Sequence, residues 1–139
     1  MIEYEQEITV EATIEQIPVI SNFVESVMSV SGFDSRKAME VLLVMEEACT
    51  NIVKYAYPGK VGTIHIVARV SGDRMELIVE DYGAAFDPTA YTAALPRTDV
   101  SDHPIGGLGI HLMKRFMDEI SFQFKDGKNV LTMVKNRAK

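Results

Sequence analysis

The chain has 139 residues, 47% of them hydrophobic and 24% charged, which suits one globular domain with its own core and excludes an intrinsically disordered chain. Lys and Arg number 14 against 20 Asp and Glu, and the resulting net charge of −6 argues against a protein held on duplex DNA or an anionic membrane by bulk electrostatics. The single cysteine, Cys49, permits no intrachain disulfide and points to a reducing compartment.

Residues 3–10 alternate through Tyr4, Gln6, Ile8 and Val10 and predict a first strand. Thr13-Ile14-Glu15-Gln16 reads as a capping box opening a helix. Ile14, Ile17, Ile20, Phe23, Val24, Val27 and Met28 then recur at helical spacing, with Pro18 in the first turns, where it costs least, and Gly32 as the stop. Asp34 caps a second, longer helix reaching about Tyr57, whose apolar stripe runs through Ala38, Val41, Leu42, Met45, Cys49, Ile52, Val53 and Ala56. Pro58-Gly59 ends it. Two strands follow over 62–70 and 74–81, joined at Ser71-Gly72-Asp73. Residues 82–107 hold Gly83, Pro88, Pro96, Pro104 and Gly106 and show no periodicity, which reads as a functional loop or lid. A helix over about 108–117 follows, then a hairpin of strands 119–125 and 129–136 about Asp126-Gly127.

The order β-α-α-β-β-loop-α-β-β fits a single domain over residues 1–139. Tight hairpins make their strands antiparallel. The predicted fold is an α/β two-layer sandwich, a mostly antiparallel sheet with helices on one face. No segment reads as a signal peptide, and the apolar runs fall far short of the roughly 20 residues that span a membrane. The expectation is a cytoplasmic protein without direct membrane or nucleic-acid contact.

Three clusters carry possible chemistry. On the second helix, Glu47 and Asn51 are four residues apart and stack on one face, about 40° apart around the axis. A carboxylate beside an amide oxygen suits a general base next to a hard Mg²⁺ ion, but also an ordinary solvated face. Glu46 is placed nearer the apolar edge. At the end of the second hairpin strand, Asp81 precedes a sharp turn at Gly83. Such a carboxylate accepts hydrogen bonds, for example from the exocyclic amine of a base, and glycine admits close backbone approach; a plain Asp-x-Gly turn is the alternative. The third cluster, Gly106-Gly107-Leu108-Gly109-Ile110, opens a helix. Glycine-rich backbone at a helix N-terminus is a natural phosphate cradle, or simply a flexible helix entry. A Rossmann site fits poorly, because the glycines do not follow directly on a strand. The three histidines and one cysteine form no zinc pattern, and no Ser/His/Asp nucleophile geometry is recognisable.

Taken in this order, the clusters resemble the GHKL ATPase superfamily, and most closely the small bacterial anti-sigma-factor serine kinases of the RsbW and SpoIIAB type. Glu47-Ala48-Cys49-Thr50-Asn51 through Tyr57 looks like their N box. Asp81-Tyr82-Gly83-Ala84-Ala85-Phe86-Asp87 looks like their first glycine box, and Gly106 through Ile110 like the second. The resemblance implies a Bergerat-type ATP-binding fold and a site for ATP and Mg²⁺. It implies Asn51 as the Mg²⁺ ligand, Glu47 as general base and Asp81 on the adenine amine over Gly83. Gly107 and Gly109, with the amides of Leu108 and Ile110, would hold the phosphates. Phe86 and Gly106 belong to the same nucleotide site, and the ATP lid falls within about 82–107. Ala85 stands where many members have a glycine, and Thr132 is the candidate for a threonine backing Asp81.

The function implied is an ATP-dependent serine/threonine kinase and anti-sigma factor. Its partners would be an anti-anti-sigma protein of the STAS type and a sigma factor, and it would act as a homodimer. A non-catalytic ATP-binding switch, or a histidine-kinase-like ATPase domain acting in trans, is the alternative. A sensor histidine kinase would need a phosphoacceptor-histidine helical hairpin, which is not read in these residues, so that reading is expected only for a fragment or a piece that works in trans.

Overall fold

The computed structural model describes residues 3–85 and 107–137. Strand β1 (Tyr4–Glu11) leads through a 3₁₀ turn at Ile14–Gln16 into α1 (Ile17–Val30). Helix α2 (Ser35–Asn51) continues as a π-helical turn, Ile52–Ala56. Strands β2 (Thr63–Ser71) and β3 (Arg74–Asp81) form a hairpin. Helix α3 (Gly107–Phe116) precedes the closing hairpin of β4 (Glu119–Lys125) and β5 (Lys128–Asn136). The five strands are ordered β1-β2-β3-β5-β4, and every neighbouring pair is antiparallel.

Alternation decides which face is buried. Ile64, Ile66, Ala68 and Val70 of β2, Met75, Leu77 and Val79 of β3, and Leu131 and Met133 of β5 face the helices. Ile20, Val24, Val27, Val41, Met45 and Cys49 meet them from α1 and α2. The result is the expected two-layer sandwich, an antiparallel sheet with its helices on one face. Among the described residues no helix is long and apolar enough to cross a membrane.

Local signals hold in most places. The Asp34 side chain accepts the Lys37 amide at 2.8 Å and caps α2. Asp126 and Gly127 both have positive φ, as a tight two-residue hairpin turn requires. The capping box at Thr13 does not form. The chain enters through a 3₁₀ turn, so Gln16 sits one residue before α1, and the Thr13 carbonyl rather than its side chain takes the Gln16 amide at 3.0 Å.

The outer face of the sheet is laced with charge. His65 lies between Glu80, 2.8 Å from Nδ1, and Glu7, 2.6 Å from Nε2. Lys128 reaches the other Glu80 oxygen at 3.2 Å, so one ladder of charges crosses β1, β2, β3 and β5.

Candidate functional site

Helix α2 delivers Asn51 to one end of the sheet, and there the helix widens. The π turn over Ile52–Ala56 takes the place of the regular helix expected to run to Tyr57. Such widened turns often accompany functional sites, because they shift the backbone groups that follow. Here the shift brings the Ala56 carbonyl to the turn after β3, where it accepts the Ala84 amide at 3.3 Å.

Strand β3 delivers Asp81 to the same end. Its side chain is buried on the helix side of the sheet, 5% exposed. Oδ1 accepts the Gly83 amide at 2.8 Å and the Asn129 Nδ2 at 3.0 Å. Asn129 Nδ2 also donates to the Ala84 carbonyl at 2.8 Å, so one amide ties β5 to both Asp81 and the turn. Tyr57 closes the other side: its hydroxyl donates to the Thr63 carbonyl and accepts the Tyr82 amide, each at 2.7 Å.

These elements enclose a cleft of about 200 Å³, far more than the roughly 10–15 Å³ that one water needs. Ala48, Ile52, Val79, Met113 and Leu131 make its apolar walls. Asn51, Asp81 and Asn129 supply the convergent polar groups, Tyr55 stands in the wall contributed by the π turn, and Ile110 enters from the first turns of α3. Apolar walls with a few fixed polar groups are the usual make-up of a small-molecule site.

The structure therefore brings Asn51, Asp81 and Ile110 together. Gly83 sits at the turn beneath them, pressed against Ala56. Gly107, Leu108 and Gly109 form the opening turn of α3, whose next residue, Ile110, lines the cleft. Glu47, half-buried one turn before Asn51, is not among the described lining residues. Glu46, expected near the apolar edge, is exposed, because α2 turns Met45, Ala48 and Cys49 inward. Phe86, Gly106 and nearly all of the expected lid lie outside the described residues.

Thr132 does not back Asp81. The β3–β5 register pairs Thr132 with Ile78, on the outer face, and sets Asn129 opposite Asp81. Sequence reasoning missed Asn129 because nothing local marks it; only the register brings it to the site. It also missed the Tyr57 tie, for which Gly62 was the available signal, since a Cβ there would fall 2.1 Å from the Tyr57 ring.

Two further groups frame the site. Cys49 is fully buried behind it; burial pushes its thiol up to about 12, and the nearby Asp81 carboxylate adds to the effect. It is a packing residue rather than a nucleophile, as its place on the apolar stripe suggested. At the far end of α3, the Lys135 ammonium donates to the Phe116 carbonyl and to Glu40, the latter at 2.9 Å. That cation caps the helix C-terminus.

The donor groups of the cleft are of types that a hard cation accepts. Asn51 offers an amide oxygen, a ligand type Mg²⁺ accepts, and no group of three or more His, Cys, Asp or Glu stands together among the described residues. Mg²⁺ characteristically completes its shell with phosphate oxygens and water rather than with a protein cage.

Residues 10–135 match the histidine kinase-like ATPase domain family. The chain is 33% identical over 129 residues to the serine-protein kinase RsbW of Bacillus cereus (strain AH187), covering 90% of this chain and 81% of that protein. Its fold is similar to the RsbU and RsbW domain structure of a Mycobacterium tuberculosis protein, with a TM-score of 0.70 at 18% identity, over 96% of this chain and 32% of that one. A second likeness is the SiaB-SiaC complex of Pseudomonas aeruginosa, with a TM-score of 0.55 at 18% identity, over 96% of this chain and 89% of that one. With the site described above and a family match over nearly its whole length, this chain belongs to the histidine kinase-like ATPase domain family, within the GHKL superfamily.

Proposed function

We propose that this chain is an ATP-dependent protein serine/threonine kinase that acts as an anti-sigma factor. It would phosphorylate a small anti-anti-sigma protein of the STAS type and thereby control the availability of a sigma factor, as a cytoplasmic homodimer. One observation carries the reading: Asn51, Asp81 and the opening of α3 converge on one cleft, in a chain 33% identical to a serine-protein kinase.

In this reading Asp81 accepts the adenine amine, and Gly83 keeps the turn below it tight. Gly107 through Ile110 present backbone amides at the N-terminus of α3, where the helix dipole favours phosphate, and Gly106 is assigned to the same phosphate site. Phe86 borders the base. Asn51 would hold Mg²⁺ through its amide oxygen, and the ion would supply positive charge against the phosphates. Glu47 takes the proton from the acceptor serine or threonine hydroxyl onto its carboxylate. Phosphoryl transfer asks for positioning and charge stabilisation more than for covalent chemistry, which suits fixed amides and one base.

The position of Glu47 outside the described cleft lining favours a second reading, in which ATP is held as a conformational ligand without chemistry. The first experiment is a set of thermal melts with Mg²⁺ and increasing ATP for the wild type, Asn51→Ala and Asp81→Asn. A ligand at 100 times its dissociation constant stabilises by about 2.7 kcal/mol. An upward shift in the wild type that Asp81→Asn abolishes supports the nucleotide site. A wild type that ignores ATP, with or without a candidate partner, sinks both readings.

A further inference from the structure

Asn129 holds two acceptors with one nitrogen, the Asp81 carboxylate at 3.0 Å and the Ala84 carbonyl at 2.8 Å. Those acceptors set the amide's orientation, because turning it over would press its oxygen against a carboxylate and a carbonyl. The Gly83 amide donates to the same Asp81 oxygen, Oδ1, at 2.8 Å. One carboxylate oxygen is thus clamped from two directions, by the start of β5 and by the turn after β3. Oδ2 has no hydrogen-bond partner among the described residues, and it is not among the sealed, unpartnered atoms. Asp81 itself lines the cleft.

A carboxylate free to rotate offers either oxygen over a wide range of directions. One clamped through Oδ1 offers a single acceptor with a fixed aim. We infer that Asn129 is a positioning residue that makes this cleft select a purine with a 6-amino group over one with a 6-oxo group. The inference rests on the nucleotide reading above and extends it to base selectivity. A 6-amino group presents a donor and a 6-oxo group an acceptor, and an ionised carboxylate can only accept. Selectivity then depends on Asp81 being unable to turn away from the wrong base. Asn129 secures that through its hold on Asp81 and on the turn after β3.

The test is calorimetric titration of the whole chain, with Mg²⁺, by ATP and by inosine triphosphate, which carries the 6-oxo group. The wild type should bind ATP the more tightly. Asn129→Leu should weaken ATP binding about tenfold more than it weakens binding of inosine triphosphate, the effect of misaligning one charge-assisted hydrogen bond. A melt of each protein without ligand checks the fold, and Asn129→Ser replaces the Leu variant if that one does not fold. An equal loss for both nucleotides, or no loss for either, overturns the inference and leaves the nucleotide site standing. So does a wild type that binds the two equally. A wild type that binds neither overturns the nucleotide reading and this inference with it.

Discussion

Gly83 and Ala56 meet closer than any side chain would allow. A Cβ on Gly83 would fall 2.4 Å from the Ala56 carbonyl oxygen and 2.5 Å from the Ala56 Cβ. The turn after β3 can therefore lie on the π turn only because position 83 carries no side chain. Gly83→Ala should cost about 1–3 kcal/mol, as overpacking against backbone does, and should reduce the ATP-induced stabilisation. Urea unfolding with and without Mg-ATP measures both; a wild-type midpoint would show that the contact gives way freely.

Tyr57→Phe removes the hydroxyl that joins Thr63 to Tyr82 and leaves the ring against Gly62. Tyr82 is exposed, so water can take over its amide. The expected loss is about 1–2 kcal/mol, read from the urea midpoint. Amide exchange at Tyr82 should quicken, and an unchanged rate there would contradict the role given to the hydroxyl.

Lys135 is buried and depends on Glu40. Glu40→Gln should cost about 2 kcal/mol, below the 3–5 kcal/mol of a fully buried pair, because the Glu40 side chain is 21% exposed and the Phe116 carbonyl still accepts from Lys135. Lys135→Met, which removes the charge altogether, should cost less. Equal or reversed losses in thermal melts would refute this. The Lys135 ammonium, against the opposing effect of burial, holds the Glu40 carboxyl below its ordinary value of 4.5. The pair's contribution is therefore present above that value and is lost as pH falls through the lowered one.

His65 has a carboxylate at each ring nitrogen, which a neutral imidazole with one N–H cannot satisfy twice. Hydrogen bonds to Glu80 and then Glu7 raise it above its ordinary 6.5. Burial alone would push the Glu80 carboxyl up, but His65 and Lys128 outweigh it and hold it down. Because His65 is raised, its stabilisation is complete below pH 6.5 and is lost as pH rises through the folded-state value. The change should be about 1 kcal/mol or less, given the partial exposure. Unfolding free energies from pH 6 to 9 should show this decline in the wild type and lack it in His65→Gln.

Glu47→Gln separates the kinase from the switch. A general base contributes about 10²–10⁴-fold to rate, so the variant should lose phosphate transfer from ATP to a partner serine by that factor. Its ATP-induced melting shift should match the wild type. Full transfer activity in the variant would remove Glu47 from the mechanism.

Much of the fold was legible locally. The predicted strands became β1 to β5, and the predicted helices became α1 to α3, with boundaries close to those expected. Asp34, Gly32 and Asp126-Gly127 acted as their residue types demand. Gly83 was legible as a place of close approach, though the group it admits is the Ala56 backbone. Thr13 failed as a capping box because a 3₁₀ turn intervened, and Thr132 failed as the partner of Asp81 because its strand parity points it outward.

By itself the sequence determined the elements, their antiparallel hairpins, the buried stripe that includes Cys49, and several residues of the candidate cleft. These depend on periodicity and turn chemistry within a few residues. The tertiary structure alone decided that Asn129 would clamp Asp81 across 48 positions, that the helix would widen after Asn51, and that Lys135 would be buried against Glu40. Those outcomes follow from the register of β3 on β5 and from the packing of α2 and α3 over the sheet. Both minimise the energy of the whole molecule, and no short window of sequence contains them.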